Sequence, residues 1–186
     1  MKTGLKRLAG MKTKTIKDLI DCADWYKRTW EKLQAEYGPY ARLMAGLIAA
    51  TSPQRAVKHN LQLARQVLEK YFLGEDWIFI DGLLPNHVTN IKRMLAGEPM
   101  KGFKVRAFYE NLTGNLSVPT VDGWMLKYFK FKGWITPNRY KKIAAKMVRN
   151  AKRHGLKPAE YQAIIWVKVR GLDTANRDMF DGVDYV

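Results

Sequence analysis

Two residues in the middle of the chain, Lys104 and Asp122, have the types and the spacing to do chemistry together. Lys104 lies near the start of a predicted helix that follows Gly102, a residue suited to a tight turn. Residues 118–121 (VPTV) form an extended apolar run, because a residue before proline is disfavoured in a helix. This run delivers Asp122 to the head of the next helix, where a carboxylate is a favoured N-cap. The ammonium group and the carboxylate could therefore face each other across a cleft.

Both residues also have plainer interpretations. An aspartate after an extended run often does no more than cap a helix. A lysine in the first turn of a helix is often simply solvated. The sequence by itself leaves both interpretations open.

The charge of the chain points to a polyanionic partner. The 186 residues carry 33 Lys and Arg against 17 Asp and Glu, a formal net charge of +16. Such an excess exceeds what solubility requires, and nucleic acid is the first partner to consider; a solvated basic face without a partner is the alternative. Hydrophobic residues make up 47% of the chain and aromatic residues 12%, which is typical of a folded globular protein.

Several classes of site and location are disfavoured. The single cysteine, Cys22, excludes an internal disulfide and a four-cysteine iron–sulfur cluster. The histidines His59, His87 and His154 lack metal-ligand spacing, and they are expected at the surface or at helix ends. Scarce acidic residues argue against a two-metal nuclease. No apolar run approaches the length of a membrane span, and the N-terminus lacks the apolar core of a signal peptide, so we expect a cytoplasmic protein.

Helical periodicity dominates the chain, and no stretch alternates as a strand would, so the sequence predicts an all-α fold. Pro53 is expected at the first position of its helix. The predicted helices cover about 15–37, 40–50, 53–71, 86–96, 125–129, 137–154 and 158–171, and a further helix of about three turns follows Gly102.

Three blocks resemble the helix-hairpin-helix DNA glycosylase superfamily, the endonuclease III-like group. Residues 43–64 (LMAGLIAATSPQRAVKHNLQLA) are similar to its apolar helix, its Ser-x-Gln turn and the helix that follows. GFK, a helix and VPTVD (102–122) resemble its hairpin, the next helix and the catalytic Val-Asp; Asp122 follows Lys104 by 18 positions, as in lyase-competent members. Residues 158–171 (PAEYQAIIWVKVRG) are similar to its late helix behind the active site. The resemblance covers residues 43–171 and suggests a divergent bacteriophage member.

The chain departs from the family pattern at two places. The hairpin is usually Leu-Pro-Gly-x-Gly, whereas residues 96–102 read AGEPMKG. An alternative alignment takes GFKVRAF as an earlier helix of the family, and Lys104 is then not catalytic. After the aspartate the family commonly has Thr-His, and here Gly123 and Trp124 follow.

The resemblance implies a glycosylase that extrudes its target base. Asp122 would stabilise the cationic sugar or activate the nucleophile, and Lys104 could form a Schiff base with the sugar. The DNA-binding residues implied are Ser52, Gln54, Arg55, Lys101, Gly102 and Arg106. Tyr109 and Trp124 are the candidates to stack on the base, although aromatic residues at helical spacing more often pack in a core.

The resemblance also implies an organisation and a set of partners. We expect one globular unit of two helical lobes around a cleft. Lobe A comprises 51–117, with a hairpin near 97–103, and lobe B comprises 15–50 with 118–171; 1–14 and 172–186 are expected to be flexible ends. We expect DNA as partner, no membrane, a monomer, and a bacterial or phage-infected host cell. No cofactor, metal or iron–sulfur cluster is expected, and a structural monovalent cation at the hairpin is compatible with the resemblance.

Two other functions remain open from the sequence. A transferase that modifies a base on the same fold, as in phage thymidine hypermodification, would use the same aspartate. A non-catalytic DNA-binding protein would use only the fold and the charge.

Overall fold

The computed structural model describes residues 16–170, and this range consists of α-helices joined by turns and loops, with no strand. The helices are α1 (Ile16–Ala23), α2 (Trp25–Tyr37), α3 (Ala41–Thr51), α4 (Val57–Leu73), α5 (Pro85–Leu95), α6 (Phe103–Leu112), α7 (Gly123–Tyr128), α8 (Pro137–Arg153) and α9 (Pro158–Arg170). The prediction of an all-α fold is confirmed for this range. The predicted flexible ends, 1–14 and 172–186, lie outside the described residues.

Two predicted helix boundaries are wrong. The segment predicted as one helix over 15–37 is divided at Asp24, whose backbone leaves the helical region (φ −80°, ψ 2°) and becomes the N-cap of α2. Pro53 does not start α4, which begins at Val57. Gln54 has a φ of +58°, in the left-handed region, so the backbone turns at Pro53 and Gln54 before the helix can begin.

A first hydrophobic core forms around α3, which is buried along nearly its whole length. Helix α3 packs against α2, α4, α5 and α6. Gly46 allows α5 to come close, since a Cβ there would lie 2.0 Å from the sulfur of Met94. Burial on all sides explains why the α3 sequence is apolar all round.

A second hydrophobic core joins α1, α7, α8 and α9. Helix α9 belongs to both cores: Ala159 and Ala163 pack in the first core, whereas Tyr161, Ile164 and Ile165 pack in the second. It is therefore the element that connects them.

The packing groups the helices differently from the division predicted by sequence. The sequence predicts that residues 15–50 pack with 118–171. Helix α1 does so, whereas α2 and α3 share the first core with α4, α5 and α6. The physical reason is that α3 has apolar side chains on every face and is covered by four neighbouring helices. The finer prediction, a helix-hairpin-helix glycosylase arrangement, stays a prediction.

Candidate active site

The extended segment before Asp122 is held from one side by Asn111, a fully buried residue near the end of α6. The Asn111 amide nitrogen donates hydrogen bonds to the carbonyls of Asn115 (2.9 Å) and Val118 (2.7 Å). Its amide oxygen accepts one from the Thr120 hydroxyl at 2.8 Å. One side chain thus satisfies three polar groups of a buried loop, which fixes the path of the chain toward Asp122.

Tyr140 of α8 holds the same segment from the other side. Its hydroxyl accepts the Val121 N–H at 3.4 Å and lies 3.3 Å from the carbonyls of Pro119 and Phe103. Its ring stacks on Phe103 with centroids 5.3 Å apart. Tyr140 therefore ties the start of α6 to the segment that ends at Asp122.

Asp122 is the N-cap of α7, as its sequence position predicts. Its Oδ1 accepts the N–H groups of Trp124 and Met125, both at 3.0 Å. Its other oxygen, Oδ2, has no protein donor among the described residues. Burial raises the pKa of the carboxyl, and the Met125 N–H and the Lys104 charge partly oppose that rise. The carboxylate is thus oriented by one oxygen and leaves the other for a ligand.

Lys104 projects from the first turn of α6 to the C-terminus of α3. Its ammonium donates to the carbonyl of Ser52 (3.2 Å) and to its hydroxyl (3.3 Å). A cation is stabilised at the carbonyl end of a helix. Burial lowers the pKa of Lys104, and the Asp122 carboxylate partly offsets the lowering. The lysine is bound to Ser52 and coupled electrostatically to Asp122, and it is not a solvated surface residue.

Lys104 and Asp122 line a cavity of about 610 Å³, a size typical of small-molecule sites. The apolar wall of the cavity consists of aromatic rings. These are Trp25, Tyr26, Phe108, Trp124 and Trp166. A cavity lined by five aromatic rings and by charged side chains, among them Lys104 and Asp122, fits a flat, polar, aromatic ligand.

The polar part of the cavity wall includes a buried tyrosine–glutamine pair. The Tyr26 hydroxyl donates to the Gln162 amide oxygen at 2.6 Å. Burial raises the pKa of Tyr26 well above its ordinary value, so the hydroxyl stays protonated. Gln162 is only 4% exposed, and its amide nitrogen has no partner among the described residues. Gln162 can therefore donate to a ligand in the cavity.

The turn that carries Gln54 is held by His87 and Arg55. His87 is buried at the start of α5; its Nδ1 accepts the Leu84 N–H, and its Nε2 donates to the Pro53 carbonyl at 2.9 Å. Burial lowers the pKa of His87, in keeping with this neutral tautomer. Arg55 donates to the Gly82 carbonyl, while its Nε is buried without a partner. Gln54 is exposed at the cavity edge.

A second, smaller cavity of about 420 Å³ adjoins the first. Gln54, Lys104, Asp122 and Gly123 line both. Gly102, with a φ of +94°, lines only the second and is the N-cap of α6. The two cavities together form a continuous groove past the Lys104 and Asp122 side chains.

The groove gathers most, but not all, of the residues predicted from sequence. Ser52, Gln54, Arg55, Lys104, Asp122 and Trp124 line the larger cavity, and Gly102 lines the smaller. Lys101 and Arg106 are exposed and line neither. The Lys101 N–H donates to Asn90 (2.6 Å), so it is not available to a ligand, and the Arg106 guanidinium lies 5.3 Å from the Phe103 ring.

Tyr109 does not line either cavity and packs against the first core. Phe108 takes the cavity position instead. Each residue of a helix is rotated by about 100° from the one before, so neighbours on α6 face different surroundings. The prediction of a base-stacking role for Tyr109 is therefore not supported by its position.

Trp124 forms one side of a stack at the cavity edge. The Arg170 guanidinium lies 5.6 Å from the Trp124 ring and 4.5 Å from the Trp166 ring. Lys127 also lies over Trp124, at 5.3 Å. The Arg170 guanidinium is therefore within cation–π distance of both indoles.

Sequence reasoning missed several residues of the site. These are Tyr26, Phe108, Asn111, Tyr140, Gln162 and Trp166. Only Gln162 carries a usable signal, since it is a polar residue in the otherwise apolar run of α9. The others have types that are ordinary at their helical positions.

Two features are absent from the described part of the chain. No group of three or more His, Cys, Asp or Glu side chains there could hold a metal ion. Among the helices of residues 16–170, none has the length and apolar character to cross a membrane.

Comparison with known proteins places the chain in a family. Residues 11–173 match the Family of unknown function (DUF7178), and the chain belongs to that family. No curated protein and no solved structure matches it.

Proposed function

We propose that the protein is a DNA glycosylase-like enzyme that takes an extruded base into the larger cavity and acts on its glycosidic bond. The observation that carries the proposal is the carboxylate of Asp122, held through one oxygen and open through the other, beside Lys104 in an aromatic-lined cavity. The net charge of +16 supports a nucleic-acid substrate.

The cavity walls match the needs of an extruded base. A base inside a duplex is inaccessible, so an enzyme that acts on it must bind it out of the stack. Trp124 and Trp166 both line the cavity and both contact the Arg170 guanidinium, which a base that stacks on either indole would displace. The free amide N–H of Gln162 can bind an acceptor on the base edge.

Asp122 and Lys104 would divide the chemistry. As the bond from C1′ to the base nitrogen breaks, the base leaves with the electron pair and takes up a proton, and positive charge develops on the sugar. Asp122 Oδ2 stabilises that charge, or removes a proton from the water that adds to C1′. In the alternative route the neutral amine of Lys104 adds to C1′ as the base leaves, and the new C1′–N group gives up a proton. The C1′–O4′ bond then breaks, O4′ takes up a proton, and a protonated Schiff base remains.

The surroundings of Gly102 would hold the DNA backbone. Gly102 is the N-cap of a helix of ten residues, and Gly102, Phe103 and Lys104 line the smaller cavity. The N–H groups of the first turn of such a helix have no partner within it. A phosphate at a helix N-terminus is stabilised by these N–H groups. Lys101 and Arg106, both exposed nearby, would add positive charge.

A substrate panel tests the proposal. Duplexes carrying damaged, mismatched or hypermodified bases are incubated with the wild type, Asp122→Asn and, as a control, Lys27→Gln, an exposed residue of α2 that lines neither cavity, and the products are analysed by mass spectrometry. We expect a free base from one class of duplex with the wild type and the control, and a loss of at least about 100-fold in turnover with Asp122→Asn.

The product also separates the alternatives. An altered nucleoside retained in the strand would identify a base-modifying transferase on the same site. If no substrate changes, the enzyme proposal is wrong and a non-catalytic DNA-binding protein remains. If Asp122→Asn turns over as fast as the wild type, the proposed role of Asp122 is wrong.

A further inference from the structure

The region after the catalytic candidate contains an unusual run of positive charge. Residues 123–159 include eleven of the chain's 33 Lys and Arg residues and no Asp or Glu. A face that served only solubility would more often mix both signs. The cations of this run are Lys127, Lys130, Lys132, Arg139, Lys141, Lys142, Lys146, Arg149, Lys152, Arg153 and Lys157.

Six of these cations form a continuous surface on α8, which we name the basic strip. They are Lys141, Lys142, Lys146, Arg149, Lys152 and Arg153, and all six are exposed. At about 100° per residue their side chains fall in one sector of about 140°. The opposite sector holds Tyr140, Ile143, Met147 and Ala151, which are buried in the second core. The fold therefore holds one face of α8 inside and presents the six cations outside, with Ala145 and Val148 exposed beside them.

The strip is not neutralised by the rest of the protein. None of its six cations forms an ion pair with a carboxylate among the described residues. Lys142 and Lys146, like Arg149 and Arg153, are like-charge pairs four residues apart, which destabilise a helix. A surface that accumulates such pairs is suited to a polyanion that would relieve the repulsion.

The strip is also continuous with the candidate active site. Thr136, Pro137 and Tyr140, at the start of α8, line the smaller cavity together with Lys104 and Asp122. Arg139 fixes the preceding loop through bonds to the carbonyls of Lys132 (3.2 Å) and Trp134 (2.9 Å). A strand leaving the groove past Tyr140 would therefore meet the strip.

We propose that the basic strip binds the phosphate backbone of duplex DNA on one side of the target base. Helix α8 has 17 residues and, at about 1.5 Å per residue, spans about 25 Å. At about 3.4 Å per base pair this corresponds to about seven base pairs. The location of the target at the cavity rests on the proposed function, whereas the duplex binding itself does not.

An anionic membrane is the competing partner for a basic helix, and the packing of α8 argues against it. A helix that lies on a membrane buries its apolar face in the lipid. The apolar face of α8 is already occupied by α9 and the second core. What remains outside is a hydrophilic cationic surface that suits a row of phosphates.

The salt dependence of binding to an unmodified duplex of about 25 base pairs tests the strip. The test variant is Lys142→Gln/Arg149→Gln. The matched control, Lys27→Gln/Lys70→Gln, loses the same net charge from cations already paired with Glu31 (3.9 Å) and Glu75 (2.7 Å). All substituted residues are exposed or at the surface of helices, and circular dichroism verifies folding.

We expect the slope of log affinity against log salt to lose about two units in the strip variant, because each lost phosphate contact removes about one. The control should keep the wild-type slope. An equal decrease of the slope in both variants would mean that net charge alone causes the effect. An unchanged slope in the strip variant would mean that the strip does not contact DNA. Either result overturns the proposal. Binding of the wild type to vesicles of anionic lipid, lost in the strip variant while duplex binding persists, also overturns it.

This test and the substrate panel can fail separately. The duplex in the salt-dependence test carries no modified base. If the strip variant lowered the slope but the substrate panel gave no product, the strip proposal would be kept and the glycosylase proposal would be rejected. Conversely, turnover that depends on Asp122 with an unchanged slope would leave the enzyme standing and remove the strip.

Discussion

At the scale of the residue, Asp122 combines a structural and a proposed chemical role. Its Oδ1 caps α7, and its Oδ2 is left for the cavity. The plain interpretation as a helix cap is confirmed, and it does not exclude the chemical one. The two roles use different oxygens, so they can be separated by substitution.

The stability of Asp122 variants should depend on pH in a defined direction. Asn is as good an N-cap as Asp, so Asp122→Asn should change the free energy of unfolding little, whereas Asp122→Ala should cost about 1 kcal/mol. Burial raises the pKa of Asp122 above its ordinary 3.8, so the folded state binds the proton more tightly than the unfolded state. The stabilisation from the protonated carboxyl is fully present below 3.8 and is lost as pH rises through the raised pKa.

Denaturant unfolding of the wild type and Asp122→Asn across this pH window measures the effect. The free energy of unfolding of Asp122→Asn should increase relative to that of the wild type as pH rises. If the wild type instead became more stable than Asp122→Asn as pH rises, the capping hydrogen bonds and Lys104 would stabilise the carboxylate by more than its burial destabilises it.

Lys104 should be the residue that forms a Schiff base, if one forms. Burial lowers its pKa, so more of its amine is neutral near pH 8 than for an exposed lysine. Incubation with abasic-site DNA and borohydride should yield a covalent adduct with the wild type and with the control Lys27→Gln, and at least about tenfold less with Lys104→Gln. The yield should rise with pH as the neutral amine accumulates. An undiminished adduct in Lys104→Gln would assign the reaction to another amine.

At the scale of the element, the site depends on a short extended segment between α6 and α7. Asn111 and Tyr140 hold this segment through its carbonyls, its amide and Thr120. Asn111 lines neither cavity and Tyr140 lines only the smaller one, and both act by holding this segment, so both are positioning residues. The position of Asp122 depends on these two residues because they hold the segment that ends at it.

Asn111→Ala should be strongly destabilising. It leaves the buried groups of Val118 and Thr120 without a partner, at an expected cost of about 2–3 kcal/mol in the free energy of unfolding. Tyr140→Phe, which keeps the ring stack on Phe103, should cost about 1 kcal/mol. Thermal and denaturant unfolding measure both. In turnover, Asn111→Ala should lower kcat more than it raises KM. If neither the stability nor kcat changed, the segment would keep its conformation without Asn111.

Helix α8 should become more stable when its charge is reduced. Arg149 lies three or four residues from Lys146, Lys152 and Arg153 on the same face. Arg149→Gln removes this repulsion and should raise the free energy of unfolding by about 0.5 kcal/mol at low salt, with the gain vanishing at high salt. Denaturant unfolding at two salt concentrations measures it. A loss of stability would reveal a partner for Arg149 that outweighs the repulsion.

At the scale of the whole molecule, the groove lies where the two hydrophobic cores meet. Its walls come from α2, α6, α7 and α9, and α9 packs in both cores. The net charge of +16 affects the association of copies of the protein with one another as well as the proposed binding to DNA.

We predict a monomer in solution. Like charges on both copies oppose self-association, most strongly at low salt. Size-exclusion chromatography with light scattering should give about the chain mass of 21.5 kDa at low and moderate salt. A dimer that strengthens as salt is lowered would contradict the electrostatic argument.

The sequence by itself determined the helices, their approximate ends and the pairing of Lys104 with Asp122 as candidates. These depend on local signals: helical periodicity, Gly102 before a helix and a proline-bearing run before an N-cap. The family of the chain assigns no function, so the glycosylase resemblance stays a prediction.

Only the tertiary structure decided which side chains meet. In the folded chain Lys104 hydrogen-bonds to Ser52, and Phe108 lines the cavity whereas Tyr109 does not. Tyr26 and Gln162, which are 136 positions apart in the sequence, form a hydrogen bond. The tertiary structure also set the pKa shifts of Lys104 and Asp122, because burial comes from the packing of distant helices. Local sequence governs the backbone within a few residues, whereas contacts between distant helices depend on how both cores pack, and no short pattern encodes that.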